Sequence, residues 1–192
     1  MKLVILASLL LMVGSVAQSA PLLNIQPVST VAVPGDILMM NVDIASATDL
    51  AAIQFDITFT AGVLSASVVT EGAFLLGGGQ TFFIPGMIDN TTGLISATAS
   101  ALIGGGPGVS GSGTLATIVF NYIGPGPARI DLANVFLLDS TGGQISPILE
   151  GAVVNNVPEP STFGITALGL GAGAWILRSR DARRSARGRL RL

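Results

Sequence analysis

The sequence predicts an all-β antiparallel sandwich set between two ends that do not belong to a globular fold. Three observations carry this. Apolar and polar residues alternate with period two in several runs, and Gly- and Pro-rich breakers separate the runs at short intervals. No amphipathic run of helical period lies among them, apart from a single turn over residues 71–76. Many short strands without crossover helices can bury their apolar faces only against a second sheet.

Residues 24–31 read as the first strand. After the breaker Pro34-Gly35-Asp36, Leu38, Met40, Val42 and Ile44 form an alternating set, with Asn41 and Asp43 on the other face. Residues 53–60 give the clearest pattern: Ile53, Phe55, Ile57 and Phe59 point one way, and Gln54, Asp56, Thr58 and Thr60 the other. Residues 63–70 follow, then a short strand at 81–84 beyond Gly77-Gly78-Gly79. Residues 94–102 and 114–122 come next, the latter nearly apolar throughout and therefore central. Residues 129–138 and 144–154 complete about nine strands, set off by Gly124-Pro125-Gly126-Pro127 and Thr141-Gly142-Gly143.

Composition removes whole classes of chemistry. The chain has neither cysteine nor histidine, so thiol catalysis, Ser-His-Asp triads, imidazole bases and Cys- or His-ligated metals are excluded. Seven of the nine basic residues lie in the last fifteen positions, Lys2 is at the start, and Arg129 alone stands in the central segment. That one base faces nine acids there, a net charge of −8. Such a segment repels nucleic acid, so no nucleic-acid partner is expected.

The two ends read as address labels. Met1 and Lys2 precede an apolar run over residues 3–13, and the small residues Ser15 and Ala17 then suit a signal-peptide cut after Ala17. A cut after Ala20 would place Gln18 in the cleavage pocket and Pro21 just beyond the bond. At the other end Val157-Pro158-Glu159-Pro160 holds the backbone extended, and Ser161 and Thr162 suit the N-cap of an apolar helix ending at Leu177. Such a helix is about 25 Å long, slightly short of the ~30 Å hydrocarbon core. Trp175 suits the interface, and the arginines from Arg178 to Arg191 suit the cytoplasmic side.

This order of motif, short helix and basic tail resembles the PEP-CTERM sorting signal over about the last 35 residues. The resemblance implies processing near Pro158-Glu159-Pro160 by exosortase, a membrane-embedded cysteine transpeptidase of exopolysaccharide-making Gram-negative bacteria. The chain then divides into a signal peptide (1–17), a β module (18–156) and a sorting signal (157–192). The module is expected at the cell envelope, held by the C-terminal helix until processing moves it to the surface or extracellular matrix.

The module in turn resembles the cohesin domain. The matching text is Val31-Ala32-Val33-Pro34-Gly35-Asp36, Ala51-Ala52-Ile53-Gln54-Phe55-Asp56-Ile57, Gly62-Val63-Leu64, Glu71-Gly72-Ala73-Phe74-Leu75, Gly93-Leu94-Ile95, residues 113–120 and Gly151-Ala152-Val153-Val154. It implies a nine-stranded jelly-roll β-sandwich that binds rather than catalyses. Cohesins grip dockerins, small calcium-loaded helical partners, through one sheet face, and relatives of the fold bind carbohydrate. Thr60 departs from the pattern, since cohesins usually carry Asp ahead of the Val-Leu pair.

Each individual candidate residue also has a plainer role. Asp43 and Asp56, on exposed faces of neighbouring strands, could form a glycosidase-type carboxylate pair, but exposed acids on alternating strands are ordinarily a solvated face. Asp36, Asp49 and Asp139 fall at turns, where aspartate serves its own backbone, and no EF-hand-like calcium loop is present. Residues 104–113 lack the Lys-Ser/Thr ending of a phosphate loop and read as a connection. Asn90-Thr91-Thr92 matches a glycosylation sequon. Most aromatics alternate inward, but the adjacent Phe82 and Phe83 must point to opposite faces, which makes that pair the ligand-contact candidate. No cofactor is called for. The expected function is non-enzymatic binding of a dockerin-type protein or extracellular polysaccharide, with a structural matrix component as the alternative.

Overall fold

A computed structural model describes residues 19–156; Ala17, Val157, Pro158, Glu159, Pro160 and the apolar segment after them lie outside the described residues. Twelve strands and one short helix follow in order: β1 (Leu22–Gln26), β2 (Ser29–Ala32), β3 (Ile37–Phe59), β4 (Leu64–Glu71), α1 (Ala73–Leu76), β5 (Thr81–Ile84), β6 (Met87–Asp89), β7 (Leu94–Leu102), β8 (Val109–Tyr122), β9 (Ala128–Asp139), β10 (Gln144–Ile145), β11 (Ile148–Glu150) and β12 (Ala152–Asn156).

The strands form two layers joined through β3. Its first half lies between β1 and β8, with Asp43 opposite both Asn24 and Thr114. Its second half lies between β7 and β9, with Gln54 opposite both Ala99 and Phe136. The back layer therefore runs β11–β1–β3–β8–β4, and the front layer runs β5 and β6, β7, β3, β9, β12, β2. The chain changes layer around Ser46 and Asp49, both left-handed at φ 58° and 55°, where the pairing with β8 shifts register. Bulges of this kind turn strand corners between packed sheets.

Alternation dictates what the layers enclose. Met40, Val42 and Ile44 point inward from the first half of β3, and Ile53, Phe55, Ile57 and Phe59 from the second. Leu23, Ile25, Ile118, Phe120, Tyr122, Ile130 and Leu137 join them, all essentially without solvent contact. Each such side chain contributes about 1.5–3 kcal/mol by leaving water. Phe59 and Phe120 meet edge to face across the layers, with centroids 5.2 Å apart. The Tyr122 hydroxyl donates to the Gly126 carbonyl, so its polar end is satisfied inside.

The sandwich has two ends. At the near end lie the turns 33–36, 60–63 and 123–127, tied by Gly35 N–H to the Tyr122 carbonyl and Ile123 N–H to the Val63 carbonyl. The described chain leaves there, since Asn156 pairs with Ala32. At the far end lie the β3 crossover, α1 and the connections 103–108 and 140–143.

The pattern differs from expectation at five places. Residues 24–31 form two strands that belong to different layers, and residues 144–154 form three. The two alternating sets at 38–44 and 53–60 are one continuous strand. Residues 109–113 extend β8 instead of remaining a connection, because Gly111 and Gly113 pair with Ala47 and Ile44 at the crossover. Residues 87–89 add a strand, β6, along β7. The turn expected at 71–76 is α1, which buries Phe74 and Leu75 at the far end.

Candidate functional site

The outer face of the front layer carries the candidate site, and two β-bulges create it. In β7, Ile95 points inward, but so do Thr98 and Ser100, three and five residues on. In β9, Ile130 and Leu137 both point inward, seven residues apart. Odd spacings cannot occur on one face of an uninterrupted strand. The interruptions are Ala97 (φ 57°) and Asn134 (φ 48°), left-handed residues that flank Asp56 of β3 from either side. Asp56 holds both: its Oδ1 accepts the Ala97 N–H at 2.7 Å, and its Oδ2 accepts from Asn134 Nδ2 at 2.7 Å. A non-glycine residue in this conformation costs about 1 kcal/mol or more, so the carboxylate supplies bonds that help to hold each bulge.

Beyond the bulges the phase of both strands is inverted. Thr98 and Ser100 turn into the core, where Thr98 donates to the Pro85 carbonyl at 3.2 Å and Ser100 to the Glu71 carboxylate at 2.6 Å. The apolar residues next to them turn out. One cross-strand row runs Phe82–Ala101–Ala52–Leu138, and the next runs Ile84–Ala99–Gln54–Phe136. Small alanines in the middle and rings at the rims make a shallow apolar depression of about 240 Å³.

Phe82 is 62 % exposed and Phe83 packs against the core, so the pair splits between faces as strand geometry requires. Phe136 is 52 % exposed on the other side of the depression. Simple alternation from Ile130 would turn Phe136 inward, and that is why sequence reasoning missed it. The available signal was the even–odd conflict between Ile130 and Leu137.

The remaining candidates serve the fold. Asp43 and Asp56 are not on neighbouring strands of one face: the crossover of β3 puts them on opposite layers, roughly a sheet spacing of 10 Å apart or more. Asp43 accepts from Thr114 Oγ1 at 2.7 Å, and Asn41 accepts from Thr117 Oγ1 at 2.8 Å. Asp43 and Thr114, with Asn24, Gln26 and Ser112, line a polar depression on the outer back face. Asp36 accepts the Val33 N–H, closing its turn.

Asp49 ties three far-end segments together. Its oxygens accept from Ser140 Oγ at 2.6 Å and from Gly108 N–H at 2.6 Å, and these bonds hold its carboxyl below the usual aspartate range. Asp139 is lowered likewise, by the Thr141 hydroxyl first and then by Gly143 N–H. Oxygens occupied by N–H and O–H donors are poor cation ligands, and among the described residues no group of three or more acidic side chains could hold a metal. The Asn90 amide is engaged with both the N–H and the carbonyl of Ala66 at 2.7 and 3.0 Å, covering the open edge of β4. Arg129, the one base of the module, pairs at 3.3 Å with Asp131 in solvent.

No family model matches the chain, and no curated protein matches it by sequence. Solved structures do match in fold. A non-cellulosomal cohesin from the hyperthermophilic archaeon Archaeoglobus fulgidus superposes with TM-score 0.60 at 16% identity, over 76% of this chain and 97% of that one. The second type II cohesin module of an adaptor scaffoldin from Acetivibrio cellulolyticus gives 0.62 at 17% identity, over 75% and 97%. A cohesin from a type I cohesin–dockerin complex of Clostridium thermocellum gives 0.60 at 16% identity, over 72% and 100%. The described module has a cohesin-like sandwich fold.

Proposed function

We propose that the chain is an exported, non-enzymatic surface protein whose cohesin-like module binds a protein partner through the outer front face. The observation that carries this is the pair of apolar rows between Phe82 and Phe136, in which the bulges beside Asp56 turn Ala99, Ala101, Phe136 and Leu138 outward. Buried Thr98 and Ser100 below half-buried, outward-facing Ala99 and Ala101 reverse the usual arrangement of a sandwich. Left-handed residues held in place against their own preference cluster at functional surfaces. A rigid, aromatic-rimmed patch is the anatomy of a binding hot spot.

The partner's chemistry follows from charge. A module of net −8 with one base selects an apolar surface flanked by Lys or Arg. Cohesins of this fold have been solved with dockerins, which supports a dockerin-type partner. The signal peptide ending at Ala17 and the sorting signal at Val157-Pro158-Glu159-Pro160 supply export, membrane anchoring and exosortase processing in this reading.

The test is capture from envelope extract and secreted polysaccharide of the source cell, with and without calcium. The baits are the wild-type chain, Phe82→Ala/Phe136→Ala, and Asn41→Ala on the other face. A saturable, calcium-dependent protein prey lost only from the double variant is the expected result. Retention of polysaccharide alone moves the function to carbohydrate binding, and no specific prey from any bait favours a structural matrix role.

A further inference from the structure

The outer back face holds a second exposed apolar region that the partner site does not use. Across β3, β8 and β4, Met39 lies opposite Val119 and Val119 opposite Val68. Met39 is 66 % exposed and Val68 44 %. One row closer to the near end Ile37 is 70 % exposed, and Ile123 lies just beyond it at 55 %. In the other direction the same face becomes polar, through Asn41, Thr117 and Thr70 and then Asp43 and Thr114. The face is thus graded along its strands, aliphatic toward the near end and hydrogen-bonding toward the far end.

That gradient points the same way as the chain. The near end is where Asn156 pairs with Ala32, and six residues separate Asn156 from Phe163, where a fifteen-residue apolar run begins. Six or seven peptide units reach at most roughly 25 Å, less than the length of one strand layer with its turns. A bilayer holding the apolar run therefore lies within reach of the near end first. The rows Ile37–Asn121–Ser65 and Met39–Val119–Val68 contain no ionisable side chain, so no charge is desolvated if they meet it.

We propose that, while the C-terminal segment is membrane-held, Ile37, Met39, Val68 and Ile123 seat the module on the lipid surface. The proposal rests on the membrane-anchor reading of residues 163–177. Its consequence is orientation: with the back face on the bilayer, the front face with Phe82 and Phe136 is turned outward to meet soluble partners. The contact is hydrophobic and interfacial, since a module of net −8 gains nothing from anionic headgroups.

The experiment reconstitutes the full chain in phosphatidylcholine vesicles with brominated acyl chains, which quench tryptophan on contact. Trp175 is the only tryptophan and reports on the C-terminal segment by itself. In a Trp175→Phe background, Ile37→Trp reports on the near-end patch and Leu138→Trp on the opposite face. Expected are loss of most Trp175 emission, a blue shift with marked quenching at position 37, and unchanged emission at position 138. Quenching of Trp175 without quenching at position 37 overturns the seat while leaving the anchor intact. An unquenched Trp175 overturns the anchor and the seat with it. A blue shift at position 37 that brominated lipid does not quench shows a second copy on the patch, and it also overturns the proposal.

Discussion

The two outer faces of this sandwich share a strand, β3, yet they reach their chemistry by different routes. On the back layer between Ile37 and Val42 the alternation runs without interruption, and the outward residues Met39 and Asn41 are those a period-two reading assigns. On the front layer the same reading holds for β3 itself but fails for both of its neighbours beyond Asp56. There the outward set is apolar and the inward set includes Thr98 and Ser100. A face's character is set by strand phase as much as by composition, and one extra residue in each neighbour is enough to exchange it.

The most severe way to break the contrast is Ala97→Pro, which can adopt neither the left-handed φ nor the N–H bond to Asp56 that the bulge uses. Without the bulge β7 alternates plainly from Ile95, which would drive Ala99 and Ala101 inward and leave Thr98 and Ser100 outside. A loss of roughly 3 kcal/mol or more in urea unfolding is expected, since a whole half-strand must repack or separate. Next is the double change Phe82→Ala/Phe136→Ala, which should weaken partner binding by about 2 kcal/mol, roughly thirtyfold in Kd, with little change in unfolding midpoint. A similar loss from Met39→Ala would transfer the site to the back face.

Asp56→Ala removes the acceptor from both bulges at once and should cost about 1–2 kcal/mol in unfolding. Asp56→Asn retains one acceptor oxygen and should cost clearly less; equal losses would mean that the bulges hold without the carboxylate's bonds. Ala97→Gly relieves left-handed strain but frees the unfolded chain, so the two effects should cancel within about 0.5 kcal/mol.

The crossover that keeps the faces apart gives a pH prediction. The carboxyls of Asp49 and Asp139 are lowered in the folded state by hydroxyl and N–H donors. Their contribution is therefore present above the unfolded aspartate value, near 3.8, and is lost as pH falls through the folded values. Hydrogen exchange at Gly108 and Gly143 should stay slow at pH 5 and quicken below about pH 4, after correction for intrinsic rates. Faster opening already at pH 5 would contradict the direction of the shifts.

Much of this architecture is legible in the residues. The inward sets of Met40, Val42 and Ile44 and of Ile53, Phe55, Ile57 and Phe59 follow from alternation, and the turn aspartates make the backbone bonds their positions suggest. Half of the candidate site was equally accessible, because adjacent Phe82 and Phe83 cannot share a face. Phe136 was not, because the conformation of Asn134 that exposes it is held by Asp56 from a strand 78 positions away in sequence. Nor was the separation of Asp43 from Asp56, which depends on β3 leaving one layer for the other.

By itself, then, the order of residues determined the all-β class, the burial pattern within each uninterrupted strand and the net charge of −8 carried by the central module. These are local quantities, set by side-chain period and composition. Which face of the front layer is apolar, and which residues meet on it, was decided only by tertiary structure. Register and bulge position depend on pairing between distant strands, and a shift of one residue there moves every later side chain to the other side.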